Sequence, residues 1–318
     1  MKKFAVGIDI GGTYTKLGLV DKDGNCPVQS KLPTKGHSDI EEYLKNVKIE
    51  VDKLTNQIDD CEIVGIGIGV PNGNFYKGTI EHAANLEWKG VVPLIEKLKP
   101  IFPGIPAILT NDANASAYGE AIFGSAKGVK EFITITLGTG LGSGIVVNNK
   151  LVYGNNGFAG ELGHTRAVDN GRECGCGKKG CLETYCSSTG LKRTLLEMLA
   201  IKKAPSKFRD LGINDFHGEE ITEEALNGDE VAKAAFEKTG FILGRSLADF
   251  VAFSEPEVIY LAGGLVSSGE LLFEPTRRSF EEHLMNSYKG KVKIMPSGLM
   301  DMNAAILGAA ALIWNEYE

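Results

Sequence analysis

The chain has 318 residues, 43% hydrophobic and 24% charged, an ordinary globular composition with length for about two well-buried domains. Its net charge of −7 argues against broad binding to nucleic acid or anionic membrane, which needs a basic surface. No apolar run reaches the roughly 18 residues a membrane helix needs, and Asp9 and the glycines after it cut short the apolar stretch that follows Met1-Lys2-Lys3.

That opening stretch therefore reads as a strand, residues 4–10, turning through Gly11-Gly12-Thr13 into a second strand at 16–20. Leu44, Val47, Val51, Leu54 and Ile58 recur at helical spacing and predict an amphipathic helix over 41–58. A glycine-rich strand at 62–70 runs into a turn at Pro71-Asn72-Gly73, and a strand at 106–110 precedes a short helix at 113–122. Residues 131–137 and 144–148 form another hairpin, and 154–183 is rich in Gly and Cys without clear periodicity. Helices near 188–200, 229–252, 269–286 and 303–316 alternate with strands at 257–262 and 291–295.

A shift of 128 residues lays the hairpin that begins at Phe4 over the one that begins at Phe132, with Gly12 on Gly140. Any two tight hairpins share some likeness. Here each copy is followed by mixed helix and strand, which points to a duplicated domain.

Backbone N–H groups in glycine-rich turns form concave anion sites, and glycine lets phosphate oxygens come close. Neither GxxxxGK[ST] nor a GxGxxG leading from strand to helix is present. The glycines instead join pairs of strands: Gly11 and Gly12 with Thr13 in the first hairpin, and Gly138, Gly140 and Gly142 with Thr139 in the second. A third pair, Gly263 and Gly264, ends the strand at 257–262. Asp9 sets a carboxylate beside the first turn, suited to hold Mg2+ directly or through water while amides hold phosphate. One such hairpin is equally explained by turning alone; three glycine groups favour a nucleotide. They resemble the first phosphate, second phosphate and adenosine motifs of the superfamily that unites actin, heat-shock chaperones and sugar kinases, in the same order along nearly the whole chain. The resemblance implies an α/β, two-domain actin-like (ribonuclease H-like) ATPase fold that binds ATP.

Cys174, Cys176, Cys181 and Cys186 fall within thirteen residues, while Cys26 and Cys61 stand apart. A secreted disulfide scaffold is shorter and denser in cysteine, so a metal is the better reading. His164 with Cys174, Cys176 and Cys181 offers one imidazole and three thiolates, a common tetrahedral Zn2+ set. Gly175, Gly177 and Gly180 permit the tight loop this needs, free thiols being the alternative. Cys186, beyond the loop, reads as core. The run from Cys174 to Glu183 matches CxCGxxGCxE, and Glu161-Leu162-Gly163-His164 matches ExGH. Both are motifs of the ROK family, which the chain therefore resembles. That family contains sugar kinases and repressors with an N-terminal DNA-binding domain; this sequence starts on the first phosphate strand, which favours the kinases.

Asn111-Asp112-Ala113-Asn114 follows the strand at 106–110. An acid just before a helix is ordinarily its N-cap. The resemblance implies another role, because the run matches the ROK NDxN motif, whose Asp takes the proton from the attacking sugar hydroxyl; Asp112 is then the general base. It also implies sugar contacts from Asn111, Asp112, Glu161, His164 and Glu183, from the backbone near Gly73 and from Asn85. Surface, cap and turn roles are the alternatives for Glu161, Glu183 and Asn85. His164 then has two duties, one ring nitrogen on zinc and the ring held rigid beside the sugar.

The expected activity is ATP-dependent phosphorylation of a hexose at its 6-hydroxyl, glucose first and mannose second. N-acetylmannosamine or N-acetylglucosamine kinase is the alternative enzyme, and a sugar-sensing regulator without turnover is the alternative class. Residues 78–88 resemble the glucokinase branch more than the fructokinase branch. Expected partners are a small sugar and ATP, with no nucleic acid or membrane, in a cytoplasmic homodimer. Residues 1–110 with the last helix, about 303–318, are expected as the smaller domain. The larger, 111–302, carries the zinc loop at 161–183.

Overall fold

The computed structural model describes residues 1–299 and 303–317. The expected domain junction at 302 and the expected end of the last helix at 318 lie outside the described residues. The chain divides into two compact units. The first comprises Met1–Lys130, Gly144–Gly160 and Ser297–Glu318; the second comprises Glu131–Ser143 and Glu161–Pro296.

The chain opens with β1 (Lys2–Ile10), β2 (Tyr14–Val20) and β3 (Val28–Pro33), then α1 (Ile40–Thr55) and β4 (Cys61–Gly69). Three very short strands, β5 (Gly73–Asn74), β6 (Thr79–Glu81) and β7 (Val91–Val92), make a small separate sheet. Next come α2 (Leu94–Leu98), β8 (Ala107–Thr110) and α3 (Asp112–Ile122). The main sheet of this unit has the order β3-β2-β1-β4-β8, antiparallel through β3, β2 and β1 and parallel through β1, β4 and β8. β1 is buried on both faces, so it reads as a continuous apolar run rather than an alternating one. On one face Val6, Ile8, Leu17 and Ile66 pack with Tyr43, Leu44, Val47 and Val51 of α1. The other face holds Ala5, Val20 and Val64.

The second sheet is built from β9 (Phe132–Leu137), β10 (Leu141–Val147), β11 (Lys150–Leu151), β12 (Val258–Ala262) and β13 (Lys293–Pro296). Its order is β11-β10-β9-β12-β13, with β9, β12 and β13 parallel. This repeats the first sheet strand for strand: a hairpin with an added antiparallel edge, followed by two parallel strands. The duplication read from two hairpins thus extends to both sheets. Helices α4 (Ser188–Ile201), α5 (Gly218–Leu226), α6 (Glu230–Ser254) and α7 (Glu270–His283) belong to the second unit, where α6 packs along α7.

The last helix, α8 (Ala304–Tyr317), returns to the first unit and lies on β1 and β4. Its Ile306, Leu307, Ala310, Ile313 and Trp314 cover Ala5, Val20 and Val64. Trp314 also donates its indole N–H to the Val20 carbonyl at 3.2 Å. Among the described residues no helix is long and apolar enough to cross a membrane.

Candidate active site and metal centre

In the first unit the carboxyl ends of the parallel strands stand in register, Asp9 beside Gly69 and Gly69 beside Thr110. That edge of an α/β sheet is where ligands bind, because the loops and helix starts following each strand converge there. The Gly11–Thr13 turn leaves β1 at this edge, closed by the Gly11 N–H donating to the Tyr14 carbonyl at 3.1 Å. A side chain at Gly12 would run into Asn85, whose carbonyl oxygen lies 2.7 Å from the Cβ position. Gly73 abuts the Thr110 carbonyl just as closely. The structure therefore brings Asp9, the first glycine turn, Gly73, Asn85, Asn111 and Asp112 to one edge of one unit.

The cap of α3 is Asn111, whose side-chain oxygen accepts the Ala113 N–H at 2.8 Å. The alternative role of N-cap therefore does not fall to the neighbouring acid: Asp112 is the first residue of the helix. One Asp112 oxygen also accepts from the Ala113 N–H at 2.8 Å, and the side chain remains open to water. Surrounding protein pushes the Asp112 carboxyl above the ordinary range, opposed by the backbone N–H groups of Ala113 and of Asp112 itself. Access to water limits that rise. Asp9, half-buried, is pushed up to about 6, first by burial and second by the charge of Asp112, with Lys16 opposing. Such a carboxylate gains from a proton or a cation beside it.

In the second unit the turn from β9 to β10 carries Gly138, Thr139, Gly140 and Gly142. It is closed by the Gly138 N–H on the Gly140 carbonyl at 3.0 Å, and it is tied to α4 by the Ser188 N–H on the Gly138 carbonyl at 2.8 Å. Gly263 has φ of 93° and backs onto Leu137, the residue before that turn, so only a glycine fits there. A polar cavity of about 310 Å³ opens between Thr139 and Gly264 and is walled by Ser188, Lys192, His217 and Glu219. The last four escape sequence reasoning. They come from the starts of α4 and α5, and no local motif marks them.

His164, Cys174, Cys176 and Cys181, also in the second unit, place their ligand atoms within 4.8 Å of one another. His164 Nδ1 lies 3.7 Å from Cys174 Sγ, and the sulfurs of Cys176 and Cys181 are 3.6 Å apart. Tetrahedral zinc with bonds of about 2.0–2.3 Å sets its ligand atoms about 3.5–3.8 Å apart, so this donor set is compatible with zinc. With Nδ1 toward the cluster, Nε2 of His164 faces Glu161 Oε2 at 3.9 Å. Glu183 sits in the helical turn Leu182–Thr184 and accepts the Leu141 N–H at 3.1 Å. Cys186 is fully buried away from the cluster, its thiol 3.5 Å from the Thr239 carbonyl.

The profile of the ROK family matches residues 5–316. The chain is 34% identical over 316 residues to the glucokinase of Streptomyces coelicolor, covering 96% of each. It superposes on the ROK family glucokinase from Streptomyces griseus, solved with glucose and AMPPNP, with a TM-score of 0.81 and 33% identity over 97% of this chain and 98% of that one. It is also 28% identical over 317 residues to the xylose repressor of Bacillus subtilis, covering 99% of this chain and 78% of the repressor.

Proposed function

Since the chain belongs to the ROK family and has the α/β fold of its sugar kinases, we propose that it transfers the γ-phosphoryl group of ATP to the 6-hydroxyl of a hexose. Glucose is the first candidate and mannose the second. The observation that carries this reading is the division of labour at the start of α3. Asn111 supplies the cap, which leaves a water-accessible Asp112 carboxylate at the ligand-binding edge of the sheet.

In this reading Asp112 accepts the hydroxyl proton as the sugar oxygen forms its bond to the γ-phosphorus. The bond to the β–γ bridging oxygen breaks, and ADP leaves. A carboxyl raised above its ordinary range is the stronger proton acceptor, provided it is ionised at the working pH. The amides of the Gly11–Thr13 and Gly138–Gly142 turns that are not spent on closing them or on Glu183 hold phosphate oxygens, and the cavity beside Thr139 and Gly264 takes the nucleoside. Asp9 would hold Mg2+, which when bound neutralises charge on the phosphates. His164, Cys174, Cys176 and Cys181 would hold zinc, which braces the loop that carries Glu161 and Glu183 toward the sugar. Asn111, Asn85 and the backbone at Gly73 complete the proposed sugar contacts, in a cytoplasmic homodimer.

A coupled ADP-release assay across glucose, mannose, fructose and the two N-acetylhexosamines tests the reading. The highest kcat/KM is expected with glucose. Preference for an N-acetylhexosamine would move the chain to that kinase class. Because repressors are among its relatives, tight sugar binding by calorimetry without turnover on any sugar would make it a sensor instead.

A further inference from the structure

Glu183 stands where the cysteine loop meets the second glycine turn, entirely within the second unit. Its Oε2 accepts the Leu141 N–H at 3.1 Å, at the heart of that turn. Its Oε1 lies 3.4 Å from Cys174 Sγ, and its backbone follows Cys181 by two residues. Gly140 makes room for this arrangement, since a Cβ there would overlap Oε2. Two further contacts join the same segments. The Leu162 N–H donates to Ser143 Oγ at 3.1 Å, and Gly163 packs against the Leu141 carbonyl. The turn's own bond, from the Gly138 N–H to the Gly140 carbonyl, and its tie to Ser188 leave the Leu141 amide to the charge-assisted bond with Glu183 outside it.

We propose that Glu183 is a positioning residue that sets the backbone of the Gly138–Gly142 turn. Through it, metal loading at His164, Cys174, Cys176 and Cys181 governs how tightly that turn holds nucleotide phosphate. The nucleotide half rests on the phosphate-loop reading above. Metal ligation would fix Cys174, which the Glu183 carboxylate contacts, and Cys181, two residues before Glu183 in the same turn of chain. Coupling of this kind is reciprocal: nucleotide must retain the metal by the factor with which the metal tightens nucleotide.

The experiment uses the full chain, zinc-loaded or stripped by chelator. It measures amide hydrogen exchange over 138–142, AMPPNP affinity by calorimetry without sugar, and the rate of zinc release. Stripping and Glu183→Ala are each expected to speed exchange over 138–142 and weaken AMPPNP about tenfold. Glu183→Gln, which keeps an acceptor but loses the charge, should fall between the parent and Glu183→Ala in exchange and AMPPNP affinity. Gly140→Ala, which displaces the carboxylate without removing it, should behave like Glu183→Ala. AMPPNP should slow zinc release. Unchanged exchange over 138–142 in stripped protein overturns the proposal, as does tighter AMPPNP binding by Glu183→Ala, which would mean that the carboxylate competes with phosphate. If exchange responds but the parent chain binds no AMPPNP, the phosphate-loop reading is wrong and the nucleotide half falls with it.

Discussion

In the unfolded chain Asp9 titrates near 3.8, whereas in the fold it keeps its proton up to about 6. Between those values the fold binds more protons than the unfolded chain, so stability falls as pH rises through the window, and the loss is complete above about 6. A divalent cation competes with that proton, so its affinity should climb over the same range. Asp9→Asn is therefore expected to raise the stability of ligand-free protein at pH 8, by about 1–2 kcal/mol once partial solvent access is discounted, and to leave it little changed at pH 4. It should also abolish most Mg2+-dependent turnover. Thermal melts at the two pH values with a Mg2+ titration check this, and an equal gain at both would place the linkage elsewhere. At Asp112 the sequence leaves cap and base open together, because both roles want an acid before a helix. Both side chains accept the Ala113 N–H, and what separates them is position: Asn111 is the cap and Asp112 the first residue of the helix. Asp112→Asn should not lower the melting temperature, since it removes a carboxyl whose ionised form the fold disfavours, and should lose at least about 10²-fold in kcat. Asn111→Ala should lose about 1 kcal/mol of stability in denaturant titrations. The opposite pattern in the two variants would return the cap to Asp112.

Elements whose signal lies within a contiguous run are legible in the sequence, and those defined by a partner are not. The glycine hairpins, the long helices and the cysteine loop carry their own periodicity or spacing. The edge strand β3, Val28–Pro33, carries a weaker signal, with Leu32 alone fully buried and Pro33 at its end. It exists because β2 offers it a ladder. β5, β6 and β7 have two or three residues each, below any period that can be counted. α5 opens on Gly218 and buries only Ile221 and Ala225; its start is held by the Glu220 carboxylate, which accepts the His217 N–H at 2.8 Å. For the same reason Lys192 and His217 have no mark of function until α4 and α5 are seen beside Thr139. The cysteine loop is the strongest case of local legibility, and its test is local too. Cys176→Ser should drop zinc from about one per chain toward none by elemental analysis. Limited proteolysis should then cut within 161–183 faster than in the parent, and full zinc content in that variant would remove Cys176 from the ligand set.

Across the whole molecule the two sheets share one strand order, yet they are completed at different times. The apolar face of the first sheet, Ala5, Val20 and Val64, is covered by α8, which begins at Ala304. β8, the last strand of that sheet, ends at Thr110, so 193 residues, 111–303, separate a finished sheet from its cover. Removing residues 304–317 should therefore unfold the first unit rather than trim it, with loss of hydrogen-exchange protection in β1 and β4. Retained protection there would show that α8 is dispensable. At elongation rates of about 5–20 residues per second, a ribosome takes roughly 10–40 s to cross that interval. Throughout it the nascent first sheet exposes much of an oily face, with only α3 and its Ile122 beside it. Yield in cells should accordingly depend on chaperones that shelter nascent chains, even where the finished protein is robust.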